Sequence, residues 1–486
     1  PLTGLLSDAI SSSHFAIAAK RAGYDAYVFK GRAPTLSRVI VDDGRVRLVE
    51  ATELAGKPSA ECGLEGYRTS AIGPAGENLV RFATVTNDGR HAGRGGLGAS
   101  LGAKNLKAFS IRGSRLPELA DPQGVVEEAQ RLSELSLGPA TAKYRELGTI
   151  SNLLVFNRLA ALPSKNFQDS EFEGASELAA EALHEFHAVG RESCAACTIG
   201  CEHVFKTKPG RRVRIEYETL FALGSLLGIS DRDQVLAAAE LCDRFGLDTI
   251  STGGTIAFAM EAGYGGLSFG DADAVLEMIG LIAARKGAGD ALAEGSREAA
   301  RVLGRTELAM HVKGLEIPGY DPRSLQAMAL GFAVGTRGAD HNRSGAYELD
   351  FSNDVDRNHF DPVHAARVVE VENRTAAIDS LILCKFLRGV FTDFDAEGAA
   401  LLRLVTGLDV NLGELGARVC SLRKIFNERC GWSREDDGLP ERVLEGELSA
   451  QKLDAMIATY YQARGWTPEG TVSPATAHEL ELGDLL

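Results

Sequence analysis

Near Pro117 the spacing of apolar residues changes, and no fold built of one element type accommodates both patterns. Before it, glycines are frequent and short β-branched runs recur, as in Ser37 to Leu48 (SRVIVDDGRVRL), whose Asp43-Gly44 is a hairpin-turn pair. After it, Pro122 to Leu135, Asp233 to Phe245 and Ala274 to Ala284 place apolar residues three and four apart, the helical period. The expected class is α+β: a β-sheet-rich domain over 1–116, then two mainly α-helical domains over 117–305 and 306–486. The second cut rests on composition, at the Gly/Pro-rich stretch KGLEIPGYDPR that starts at Lys313.

At 486 residues, 44% of them hydrophobic and 24% charged, the chain can bury a sizeable interior. A net charge of -15 opposes a nucleic-acid partner, which calls for a basic stripe to neutralise phosphates. No uninterrupted apolar run reaches the roughly 18 residues that a membrane-spanning helix needs. The opening PLTGLLSDAISSSHF lacks a charged segment leading into an apolar one, so a cytoplasmic location is expected.

The eight cysteines are clustered, which favours metal binding over a disulfide framework. Cys194, Cys197 and Cys201 form C-x2-C-x3-C within SCAACTIGCEHVF, close enough for three thiolates to converge on one inorganic centre. Three clustered cysteines with one distant partner suit an iron-sulfur cluster. Zinc with His203 is the rival, and structural cysteines the bland alternative. Any of the other five cysteines could supply the fourth ligand. Upstream, Arg90 to Gly98 (RHAGRGGLG) carries four glycines and two arginines in nine residues, a composition that lets a backbone approach a phosphate and pair with it. It follows neither the Walker nor the dinucleotide order of glycines, so a phosphate-bearing cofactor other than ATP or NAD is expected; a tight turn is the alternative. A distant echo links Asp243 to Asp248 (DRFGLD) with Asp379 to Cys384 (DSLILC): Asp first, Leu fifth, and a ligand-type residue sixth.

These segments resemble the tungsten-dependent aldehyde:ferredoxin oxidoreductase family almost end to end. The resemblance is carried by PLTG, AGYDAYVFKGRA, AIGPAGENLVRFA, NDGRHAGRGGLGASLGAKNLKA, CAACTIGC, EYETLFALG, CDRFGLDTISTGGT, YDPR, RGADH and YYQARGW, in the family's order. It implies a sheet-rich domain that cradles the cofactor, a tungsten or molybdenum ion held by two pterins whose phosphates share Mg, and a neighbouring 4Fe-4S cluster. By it, Cys194, Cys197, Cys201 and Cys384 hold the cluster. Arg90, Ala92, Gly93, Asp243, Leu247, Asp248, Arg337, Arg343, Thr375 and Asp379 contact pterin, and the carbonyls of Ile10 and His91 reach Mg. Glu218 aligns with a general base and His341 with a donor to the substrate oxygen; Glu216, two residues from Glu218, is the alternative carboxylate. Ile382 departs from the pattern, standing where glycine is usual.

The implied reaction is oxidation of an aldehyde to a carboxylate, with electrons leaving through the cluster to ferredoxin or another electron-transfer protein. Lys206, Lys208, Arg211, Arg212 and Arg214 are candidates for that docking surface. A tungsten-dependent aryl-CoA reductase subunit and a non-catalytic iron-sulfur subunit are the alternatives. Family members carry a further segment before PLTG, so a trimmed chain or a separate N-terminal subunit is expected.

Overall fold

The computed structural model describes residues 1–485. Chain contacts divide it into two units. The first comprises Ser7–Glu118 and Glu173–Ala309 with the first two residues; the second comprises Leu119–Phe172 and Met310 onward with Thr3–Leu6.

The first unit holds a six-stranded sheet made from β1 (Ser37–Asp42), β2 (Arg45–Glu50), β3 (Arg68–Ile72), β4 (Val85–Asn87), β5 (Arg90–Ala92) and β6 (Leu106–Arg112), in the order β2-β1-β6-β3-β4-β5. Both of its tight hairpins follow one rule. Asp43 and Gly44 join β1 to β2, Asp88 and Gly89 join β4 to β5, and all four adopt positive φ, the twist that suits paired strands. The parallel pairing of β1 with β6 is the one long crossover, and Val41 and Ile111 are fully buried there.

The rest of this unit is built around the helix Thr249–Glu261, whose residues Ile250 to Met260 are all buried. Gly253 lets the helix Tyr217–Leu223 approach it, since a Cβ at Gly253 would lie 2.1 Å from the carbonyl oxygen of Ala222. That contact fixes the helix that carries Glu218. Of the expected helical segments, Pro122–Ser136 belongs to the second unit, and the other two recur here as Arg232–Phe245 and Ala272–Ala284. The region also contains a three-stranded antiparallel sheet, β7 (Ala188–Glu192), β8 (Glu202–Lys206) and β9 (Arg212–Ile215), that the apolar spacing did not announce. Its strands are four or five residues long and do not alternate buried and exposed positions strictly, so they leave no periodic signal.

The second unit is helical. Gln326–Val334 is buried along its whole length, and Ala365–Ser380 packs closely on Leu412–Arg429, where a Cβ at Gly416 would meet the carbonyl oxygen of Asn373 at 2.1 Å. Its interior is also polar: Asp437 binds Lys313 at 2.8 Å, Lys424 at 3.3 Å, the Trp432 indole at 3.0 Å and the Tyr461 hydroxyl at 2.5 Å. Among the described residues no helix is long and apolar enough to cross a membrane.

Candidate functional site

In the first unit the glycine-rich loop and the first aspartate motif, far apart in sequence, come together. Arg90 to Ala92 form the edge strand β5, and the chain then turns through Gly93 to Gly96 into the helix Leu97–Gly102. The helix Arg232–Phe245 ends at Gly246, whose φ of 75° closes its C-terminus, and Asp248 caps the next helix by accepting from the Ser251 amide at 3.1 Å. Leu247 bridges to Ala83, and the Asp248 amide donates to the Phe82 carbonyl at 3.1 Å, which anchors the motif to the sheet side.

Two polar contacts join the two segments, and a third ties the loop to β8. His91 Nε2 lies 3.2 Å from Asp243, Arg94 lies 3.5 Å from Asp248, and Arg90 pairs with Glu202 at the start of β8. Thr84 and Thr86 hold His91 Nδ1 at 2.9 and 3.2 Å. The glycines divide by role. A Cβ at Gly96 or Gly98 would strike the backbone of Arg81 or of Thr84, so those two serve packing; at Gly93 it would meet only the Asp248 carboxylate, at 4.0 Å. Gly93 therefore leaves an open cradle bordered by guanidinium donors and carboxylate acceptors, the donor set for a ligand with both phosphate oxygens and ring N–H groups. The segment before the helix His14–Arg21 runs along this loop: Ser7 donates to the Gly95 carbonyl at 3.2 Å and Asn87 donates to Ser13 at 2.6 Å. Ile10 stands between those anchors.

Glu216 is the extended residue that precedes the helix Tyr217–Leu223, and Glu218 lies in its first turn. Glu216 is reached by solvent yet surrounded by protein, as a group lining a recess is. Burial raises its carboxyl above the usual range, against the pull of Arg90 and His91 and with the push of Asp243. Neighbouring Glu202 is pushed up to about 7 by burial, although Arg90 and Arg214 oppose it.

Cys194, Cys197 and Cys201 lie on the connection between β7 and β8, all partly accessible. Ala196 and Gly200 take positive φ, the Cys197 amide donates to the Cys194 carbonyl at 3.1 Å, and the Ile199 amide donates to Cys197 Sγ at 3.3 Å. A backbone N–H aimed at sulfur stabilises a thiolate, which suits an iron-sulfur ligand loop. Among the described residues no three His, Cys, Asp or Glu side chains are arranged to hold a single metal ion.

In the second unit, the short helix His341–Ser344 is capped by Asp340, which accepts from the amides of Asn342 and Arg343 at 2.9 and 3.1 Å. The buried His341 ring stacks on Tyr320 with centroids 4.6 Å apart. Arg337 lies 3.2 Å from Asp340, Arg343 pairs with Asp379, and Thr375 faces Gly345, whose Cβ would come within 2.6 Å of the threonine oxygen. Five of the expected residues thus share one neighbourhood.

The sequence echo is a structural identity. In the first motif the Leu247 amide donates to the carbonyl of Cys242 at 2.9 Å; in the second the Leu383 amide donates to Ile378 at 3.0 Å. Each bond spans the same positions, closes a helix through a left-handed residue (Gly246 or Ile382), and delivers Asp248 or Cys384 as the cap of the next helix. Sequence reasoning had no signal for Lys385. It lies 3.6 Å from Asp379, and burial lowers its ammonium to about 8.

The chain carries a sheet-bearing region followed by helical ones. It superposes on the active site complex BamBC of benzoyl coenzyme A reductase, solved with 1,5-dienoyl-CoA, with a TM-score of 0.84 at 20% identity, covering 100% of this chain and 85% of that one. The N-terminal domain of aldehyde ferredoxin oxidoreductase matches residues 1–113, and domains 2 and 3 match residues 125–482. Tungsten-containing aldehyde ferredoxin oxidoreductases from Pyrococcus furiosus and Thermococcus kodakarensis are 35% and 33% identical, each over 100% of this chain and 86% of the relative. The chain belongs to the aldehyde ferredoxin oxidoreductase family.

Proposed function

We propose that the protein oxidises an aldehyde to a carboxylate at a tungsten- or molybdenum-pterin centre and passes the electrons through a 4Fe-4S cluster to ferredoxin or a similar carrier. The reading rests above all on the paired helix termini Asp243–Asp248 and Asp379–Cys384, the first of which meets the Arg90–Gly93 cradle. The balance is R–CHO + H2O → R–COO− + 3 H+ + 2 e−. Bound at the cradle, the metal-pterin group supplies the two-electron acceptor and the Lewis acidity that side chains lack.

The chain's own residues bind, orient and move protons. Arg90 and Arg94 would hold phosphate, and the carbonyls of His91 and Ile10 would hold Mg. Asp243 and Asp248, and Asp379 in the second unit, accept from ring N–H groups. Glu218 serves as the base that takes a proton from water or from the aldehyde hydrate, and His341 donates to the substrate oxygen. Cys194, Cys197, Cys201 and Cys384 would hold the cluster.

The aldehyde reading is favoured over the aryl-CoA reductase one because both family domains and the relatives at 33–35% identity agree on it, whereas the 20% identity to the benzoyl coenzyme A reductase complex speaks only to fold. The test is to purify the protein from cells given tungstate and assay benzaldehyde or acetaldehyde with oxidised viologen, beside metal and pterin analysis. Aldehyde turnover with tungsten and about four iron atoms per chain is expected. Dearomatisation of an aryl-CoA thioester by reduced viologen, without aldehyde oxidation, would refute it. Cys384→Ala should lose the iron while Cys420→Ala keeps it; equal iron in both removes Cys384 from the ligand set.

A further inference from the structure

Among the cations behind the cysteine loop, Arg214 is set apart by its burial. Its side chain is 29% accessible, against 76%, 53% and 63% for Lys208, Arg211 and Arg212. It also reaches out of its own sheet: a guanidinium N–H donates to the carbonyl of Gly89 at 2.7 Å, in the turn that joins β4 to β5.

Within the β7–β9 sheet, Glu192 and Glu202 occupy directly paired positions, an arrangement in which two carboxylates repel. Arg214 answers both. It lies 2.5 Å from Glu192 and 3.3 Å from Glu202. Strand geometry puts it there, because Arg214 is paired with Val204, and Glu202, two residues from Val204, shares its face. From the cradle side Arg90 pairs with Glu202. Charges therefore alternate from the surface inward, Arg212, Glu192, Arg214, Glu202 and Arg90, and the last two links join the residue after Cys201 to the strand β5.

Gly89 is fitted to this contact. A Cβ there would lie 2.2 and 2.8 Å from two guanidinium nitrogens of Arg214. Gly44, at the same place in the β1–β2 hairpin, has a similar left-handed backbone, with φ of 88° beside 74°, yet a Cβ there would meet nothing closer than 3.4 Å. One Asp-Gly turn only reverses the chain; the other is also a socket for a guanidinium.

We propose that Arg214 is a positioning residue for the cofactor cradle: by bridging Glu192, Glu202 and the Gly89 carbonyl it sets Glu202 against Arg90, and so holds the Arg90 guanidinium toward cofactor phosphate. This rests on the metal-pterin reading above. Arg214 touches no reacting group, and it acts through Glu202 and through the hairpin tip. A planar fork can serve three acceptors at once, which the point charge of a lysine cannot.

The test uses the full chain purified from cells given tungstate. It compares wild type with Arg214→Gln, Arg214→Lys, Gly89→Ala, the double variant Arg214→Gln/Gly89→Ala and, as a control for backbone strain alone, Gly44→Ala. The readouts are pterin retained on dialysis, iron content, the phosphorus-31 resonances of the oxidised protein, and amide exchange in the β4–β5 hairpin. Arg214→Gln should lose pterin about 10-fold faster, shift a phosphorus resonance and speed exchange in the hairpin, with iron unchanged. Arg214→Lys should resemble it. Gly89→Ala, which keeps every charge but displaces the guanidinium, should match Arg214→Gln, and the double variant should be no worse than either single one. Gly44→Ala should hold pterin as wild type does. Should Arg214→Gln fail to fold, Gly89→Ala against Gly44→Ala decides. Wild-type retention in Arg214→Gln and Gly89→Ala, full rescue by lysine, additive losses in the double variant, or iron lost in step with pterin overturns the positioning role. A wild type that carries no pterin at all refutes the metal-pterin reading instead.

Discussion

Ile382 shows how much one residue can disclose. The family pattern asks for glycine there, and the backbone agrees: φ is 53°, matching the 75° of Gly246 at the equivalent turn. Because the side chain is largely exposed, Ile382→Gly should relieve strain and lose little packing, raising stability by about 1 kcal/mol after the added freedom of the unfolded chain is counted. A lower urea midpoint would show that the isoleucine packs after all. Glu216 and Glu218 give a second residue-level test. Glu218→Gln should lower aldehyde turnover about 10²- to 10⁴-fold with metal, pterin and iron retained. Glu216→Gln should stay active, because Glu216 precedes the helix whose first turn carries Glu218 and the two side chains do not share a facing there. The reverse outcome would exchange their roles. The sequence carried both glutamates but not their setting; that Arg90 and His91 act on Glu216 together with Asp243 depends on a loop more than a hundred positions upstream coming to the same place.

At the level of elements, what was legible was local. Asp43-Gly44 announced the β1–β2 hairpin because positive φ at both turn residues is a property of the pair itself, and the helix Arg232–Phe245 announced itself through its spacing. The sheet that holds the cysteine loop did not, and nothing in a lysine's identity reveals that it is buried. Lys424, in the helix Leu412–Arg429, lies over the Trp432 ring at 2.9 Å from its centre and shares Asp437 with Lys313; burial lowers its ammonium to about 7. Between pH 7 and about 10 the folded state then holds fewer protons than the unfolded one, so this group makes stability rise with pH across that window. Lys424→Met should remove the rise, seen as denaturant midpoints that no longer climb from pH 7 to pH 9. Asp437→Asn should destabilise the protein by about 3–5 kcal/mol, because it removes the carboxylate that the buried Lys313 and Lys424 share.

For the whole molecule, sequence blocks and compact units do not coincide. The sheet over the first 116 residues shares its unit with Glu173–Ala309, and the seam is tight: Thr84 and Arg81 donate through their amides to Gly246 and Ala293 at 2.9 Å each, and Asn78 donates to Ala283 at 2.8 Å. A fragment of residues 1–116 should therefore exchange its sheet amides within minutes and unfold without cooperativity, whereas the same amides in the full chain should be protected; a cooperative fragment would mean the sheet needs no partner. The seam also imposes an order in time. As the chain leaves the ribosome at roughly 5–20 residues per second, the finished sheet waits some 10–40 seconds for the last of its own unit, residues near 309, to emerge. Synthesis of the nascent chain thus includes an interval in which the wall of the cofactor cradle exists without its floor, and a chaperone that covers the β5 edge during that wait would raise the yield of protein able to take up its cofactor.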